Sequence, residues 1–61
     1  MASSLAHELN QPLAAINNYC MGAVGRLKSG RSTAEELIPV LEKTSAQAVR
    51  AGTIIQRIRG F

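Results

Sequence analysis

Leu27-Lys28-Ser29-Gly30-Arg31-Ser32-Thr33-Ala34-Glu35-Glu36-Leu37 is the stretch whose reading decides the fold of this chain. Glycine and polar residues cluster at 29–32, and little else punctuates the sequence so firmly. Gly30 suits the left-handed residue that closes a helix C-terminus. Ser32 with Glu35, or Thr33 with Glu36, supplies a capping box that opens the next helix. The expectation is helix 1 over about 4–28, a turn over 29–32 and helix 2 over about 33–59.

Working outward from the turn, both helices carry a heptad seam. In helix 1 it runs Ala2, Ala6, Leu9, Leu13, Ile16, Cys20, Ala23, Leu27. In helix 2 it runs Ala34, Leu37, Leu41, Thr44, Ala48, Ala51, Ile55, Ile58. Alternating steps of three and four favour near-parallel packing at coiled-coil-like angles. Folding at the turn stacks Leu27 on Ala34, Cys20 on Leu41, Leu13 on Ala48 and Ala6 on Ile55. The position numbers in each pair sum to 61, so one register serves both seams. The fold class expected is all-α, an antiparallel two-helix hairpin. Leu5, Tyr19, Val24, Ile38, Val40 and Ile54 flank the seams and would stay exposed on a lone hairpin. Two hairpins packed as a homodimeric four-helix bundle would bury them.

Composition bounds the rest. Sixty-one residues make one small domain, whose core rarely supplies more than about 3–5 kcal/mol, so a partner is expected. Cys20 is the only cysteine, which excludes an intrachain disulfide and fits a reducing, cytoplasmic setting. One His and one Cys cannot fill a tetrahedral metal site. A net charge of +3, dispersed basic residues and only Tyr19 and Phe61 as aromatics argue against nucleic-acid binding. No apolar run approaches the roughly 20 residues of a membrane span, so no membrane contact by this segment is expected. The first four residues lack the basic start and apolar stretch of a signal peptide.

Two prolines fall inside the helices. Pro12 removes a backbone donor and should bend helix 1 just after the His7 turn. Pro39 either kinks helix 2 or marks the start of its straight part.

The chemistry gathers at His7, the only histidine. With the seam at heptad positions a and d, His7, Glu8 and Gln11 all project away from the core. Histidine is a nucleophile whose charge ordinarily changes near physiological pH. Glu8 could hold the other ring nitrogen and stabilise the charge that develops as phosphorus is attacked. Pro12 would loosen the helix beside the acceptor. Read from spacing alone, a solvated surface histidine is an equal alternative. A zincin His-Glu-x-x-His motif fails, because Gln11 stands where the second histidine must be. Lys43, Arg50 and Arg57 recur every seven residues as a basic stripe on helix 2. It is either a solvated face or an attraction for phosphate near His7.

His7-Glu8-Leu9-Asn10-Gln11-Pro12-Leu13 resembles the H-box of sensor histidine kinases, whose pattern is His-Glu-Leu-x-x-Pro-Leu. The continuation through Ala14-Ala15-Ile16, and Arg50-Ala51-Gly52-Thr53-Ile54-Ile55-Gln56-Arg57-Ile58-Arg59 in helix 2, resemble the oxygen- and dicarboxylate-sensing branch. The likeness covers essentially the whole chain. It implies a dimerisation and histidine-phosphotransfer (HisKA-type) domain over 1–61.

The resemblance implies that His7 is the phosphoacceptor, taking the γ-phosphoryl group of ATP and passing it to an aspartate of a response-regulator receiver domain. Glu8 would be its acid–base partner and Pro12 the helix-bending proline. Many family members carry Thr or Asn four residues after the histidine, positioning water to dephosphorylate the regulator. This chain has Gln11, a departure that weakens the expectation of phosphatase activity. No ATP-binding motif occurs in these residues, so no cofactor is expected here, and ATP and Mg would belong to a separate kinase catalytic domain. The chain reads as a piece of a longer enzyme, a protein-histidine kinase with or without a membrane anchor, inert with ATP alone. A structural dimeric hairpin serving as a signalling linker is the alternative reading.

Overall fold

The computed structural model describes residues 4–59. They form α1 (Leu5–Lys28) and α2 (Ala34–Arg59), packed against each other as a hairpin. There is no strand among the described residues. The all-α hairpin expected from the turn and the heptads is the architecture found.

Capping sets the ends of both helices. Ser4 stands outside α1, and its Oγ accepts from the His7 amide at 3.2 Å. Thr33 stands outside α2: its Oγ1 accepts from the Glu36 amide at 3.2 Å while Glu36 Oε1 accepts from the Thr33 amide at 3.1 Å. Of the two capping boxes the sequence allows, the chain uses this one, which satisfies two orphan amides reciprocally. Ser32 Oγ is left buried with no hydrogen-bond partner among the described residues. At the other side of the turn Gly30 adopts φ +72°. The Gly30 amide donates to the Leu27 carbonyl at 3.1 Å and the Arg31 amide to the Arg26 carbonyl at 3.0 Å. This is the double closure of a Schellman motif, and the left-handed residue it needs is the glycine.

α2 begins at Ala34, five residues before Pro39, and runs unbroken through it. Pro39 therefore does not start the helix. α1 likewise continues through Pro12. Each proline leaves one carbonyl a turn earlier without its amide partner. Inside α2 the hydroxyls of Thr44 and Thr53 donate back to the Val40 and Val49 carbonyls at 2.9 and 3.1 Å.

The helices pair at the expected height but in a different rotation. Arg26 with Glu36 and Gln11 with Arg50 meet across the hairpin at numbers summing to 62 and 61, close to the predicted register. The predicted partners themselves are not buried between the helices. Ala6, Leu13, Cys20 and Leu27 on α1 are exposed, and so are Ala34, Leu41, Ala48 and Ile55 on α2. The inner face of α1 is the row Glu8, Pro12, Ala15, Tyr19 and Ala23. That of α2 is Leu37, Val40, Thr44, Gln47, Ala51 and Ile54. Three of the seven described positions in each seam, Leu9, Ile16 and Ala23 with Leu37, Thr44 and Ala51, turn at least partly inward. Ala2 of the expected seam and the side chain of Ile58 lie outside the described residues.

The reason is geometric. An apolar stripe two heptad positions wide can serve two neighbours, and a hairpin provides one. The particle measures 44 × 20 × 12 Å, so it is a layer one helix thick. Counting about 100° per residue, the exposed rows turn away from the contact in the same rotational sense on both helices. Because the helices are antiparallel, both rows emerge on one broad face of the layer. Leu13 and Leu41 on that face are 47% and 61% exposed. Among the described residues only Pro12, Ala51 and Ile54 are buried.

Candidate functional site

Those three buried side chains lie at one height. Gln11–Arg50 and Glu8–Arg57 bracket the same level, so the tightest part of the hairpin is directly beneath His7. Pro12 is thus more than an interruption of helix bonding. It has no amide to satisfy and packs its ring into the contact with α2. Sequence reading treated it only as a bend. The signal available was its place four residues after Glu8 and three before Ala15, on the inner stripe.

His7 sits in the first turn of α1 and is exposed. At about 100° per residue it lies roughly 120° around α1 from Leu13, on the face of the layer opposite the apolar rows. Its ring makes no hydrogen bond among the described residues.

Glu8 is not turned outward as the seam assignment implied, while Gln11 stays exposed at the edge of the contact. The whole helix is rotated, and both lean toward α2. Glu8 is half-buried, with Oε1 3.5 Å from an Arg57 guanidinium nitrogen. That oxygen is sealed from solvent and accepts no hydrogen bond, although the carboxylate as a whole is about half exposed. The pair is an ionic contact, not a hydrogen-bonded one. Gln11 is exposed and its Oε1 accepts a long 3.5 Å hydrogen bond from Arg50. The structure thus brings together Glu8, Gln11, Arg50 and Arg57 along the edge of the inter-helix contact, with His7 on the outer turn beside them. Lys43, the third member of the basic stripe, is exposed and takes no part in these pairs.

A shallow groove of about 190 Å³ opens nearer the turn, lined by Asn18, Tyr19, Gly22, Ala23, Arg26 and Val40. Its nearest residue is eleven positions from His7, roughly 16 Å along the helix, so the two are separate features. No group of three His, Cys, Asp or Glu among the described residues could hold a metal ion. Nor is any helix among them long and apolar enough to cross a membrane.

Comparison with known proteins gives this layer a context. The chain is 52% identical over 63 residues to the sensor protein FixL of Bradyrhizobium diazoefficiens, a match covering all of this chain and 12% of that protein. It is 48% identical over 61 residues to the C4-dicarboxylate transport sensor protein DctS of Rhodobacter capsulatus, covering all of this chain and 9% of that protein. It is 41% identical over 59 residues to the tetrathionate sensor histidine kinase TtrS of Salmonella typhimurium, covering 97% of this chain and 10% of that protein. The chain spans about a tenth of the length of the curated relatives it matches. No family model matches it, and no solved structure matches it. The chain is homologous to a short segment of sensor histidine kinases.

Proposed function

We propose that this chain is the phosphoacceptor and dimerisation segment of a sensor histidine kinase. A ring nitrogen of His7 attacks the γ-phosphorus of ATP held by a separate catalytic domain, the bond to the bridging oxygen breaks, and ADP leaves. Mg²⁺ in that domain would neutralise the phosphate charge. Glu8 takes the proton from the other ring nitrogen. An aspartate of a response-regulator receiver domain then attacks the phosphorus, and the nitrogen–phosphorus bond breaks. Gln11, four residues on, is the candidate for orienting water when the regulator is dephosphorylated.

The observation that carries this reading is the placement of His7, exposed and with no side-chain hydrogen bond among the described residues, on the face opposite the apolar rows. A second copy of the chain can cover those rows and leave the imidazole open to visiting domains. The four-helix bundle so formed supplies the second layer that a hairpin one helix thick lacks. The identity of 41–52% to sensor proteins over nearly the whole chain supports it. A segment that takes its phosphoryl group from ATP works in the cytoplasm, where Cys20 stays reduced.

The test is to supply a compatible kinase catalytic domain with ATP and Mg²⁺ and to measure acid-labile phosphate on this chain. Label is expected on the wild type and absent from His7→Gln. Label that survives the substitution, or never appears, leaves the structural linker as the better reading.

A further inference from the structure

Glu8 has two claimants. Next to it in sequence is His7, whose proton the proposed reaction must remove. Across the hairpin is Arg57, whose guanidinium nitrogen stands 3.5 Å from Glu8 Oε1. Consecutive residues diverge by about 100° around a helix, and here the Glu8 carboxylate leans to the α2 side while His7 stands in solvent. Among the described residues, Oε1 is closed to water and receives no hydrogen bond. Arg57 is the cation among them that stands within 4 Å of it. Arg57 is itself more than half exposed, so the pair is held on a solvated rim rather than locked in a core.

We propose that Arg57 is a positioning residue that acts through Glu8. It draws the carboxylate against α2 and away from His7, and so sets how often Glu8 is available to the imidazole. This inference rests on the phosphoacceptor reading of His7. Arg50 stands one heptad earlier and donates a hydrogen bond to Gln11 Oε1, also at 3.5 Å. The two arginines thus engage Glu8 and Gln11, one and four residues after the histidine.

The chain can be tested with phosphoramidate as a small-molecule donor, so no other domain is required. A ring nitrogen bonds to phosphorus and the donor's phosphorus–nitrogen bond breaks. Glu8 accepts the proton from the other ring nitrogen and relays it to solvent, with ammonium as by-product. Phosphohistidine is followed by phosphorus NMR. Arg57→Gln is expected to label about two- to five-fold faster than wild type, the range an exposed ion pair commands. Arg57→Lys keeps the charge and should stay near wild type. Glu8→Gln should be slower than either, and adding Arg57→Gln to it should change nothing.

Salt provides an arm that needs no arginine variant. Between about 0.01 M and 1 M ionic strength the screening length falls from about 30 to 3 Å, so wild type should accelerate relative to Glu8→Gln. An Arg57→Gln chain that is no faster than wild type at unchanged helicity overturns the proposal. So does an Arg57 effect that persists without Glu8, or a flat salt ratio should Arg57→Gln not fold. Uptake by His7→Gln as fast as wild type would instead overturn the phosphoacceptor reading, and this inference with it. Labelling on His7 without any Arg57 effect sinks only the positioning role.

Discussion

Cys20 and Leu41 stand at the same height on the two helices, and both are exposed on rows that leave the same side of the hairpin. With Ala6, Leu13 and Leu27 on α1 and Ala34, Ala48 and Ile55 on α2, they form two parallel apolar rows with heptad spacing. A second copy, presenting the same rows about a two-fold axis, is the simplest cover.

The apolar rows should control self-association. Burying a leucine is worth about 1.5–3 kcal/mol, and each substitution enters a dimer twice. Leu41→Glu is therefore expected to raise the dimer dissociation constant by about a hundredfold or more, measured by sedimentation equilibrium. Val49, 68% exposed and off that face, is the control: Val49→Glu should leave the mass unchanged. A wild type that sediments as one chain at micromolar concentration would refute the dimer.

Cys20 reports on the same face without any substitution. It is a free, exposed thiol on the single hairpin. Covered in a dimer, it should react with a small alkylating reagent more slowly as protein concentration rises. A rate independent of concentration would place the interface elsewhere.

The turn makes a prediction about stability. Gly30 lies at φ +72° with nothing within 4 Å of a would-be Cβ, so Gly30→Ala meets no clash and suffers only the left-handed backbone penalty, about 1–2 kcal/mol. At fixed protein concentration, the midpoint of thermal unfolding by circular dichroism should fall by roughly 4–8 °C per kcal/mol. Gly22 and Gly25 also face open space but lie inside α1. There alanine should raise stability by about 0.5–1 kcal/mol.

Thr33 and Glu36 form a reciprocal box, and Glu36 also stands 3.7 Å from Arg26. Thr33→Ala should cost about 0.5–2 kcal/mol in the same melting experiment. Glu36→Gln retains an acceptor for the Thr33 amide and loses only an exposed ion pair, so its cost should stay below about 1 kcal/mol. Equal losses from the two would show that the ion pair, not the cap, starts α2.

Much of this was legible without coordinates, because it depends on neighbours in the chain. Gly30 announces its left-handed turn, since other residues pay a steric cost there. The spacing of apolar residues by three and four announces two helices of matched length and a common register. His7-Glu8 followed by Pro12 carries the resemblance from which the proposed chemistry comes. The two capping boxes were indistinguishable on paper. Only the closing geometry of the Schellman turn leaves Thr33, rather than Ser32, at the start of α2.

Rotation about the helix axes was not legible. A stripe wide enough for two neighbours does not say which half meets the sister helix and which waits for another chain. That choice rests on how side chains from both helices fill one contact: Pro12 offers a flat ring with no amide to satisfy, and Ala51 is small enough to let α2 approach. The sequence alone therefore determined the elements, their order and their register, and singled out the histidine proposed as phosphoacceptor, all functions of local spacing. The tertiary structure decided the roughly one-residue turn that moves Leu13 and Leu41 to an open face and draws Glu8 to Arg57. Packing between two helices depends on both surfaces at once, and neither helix carries that information by itself.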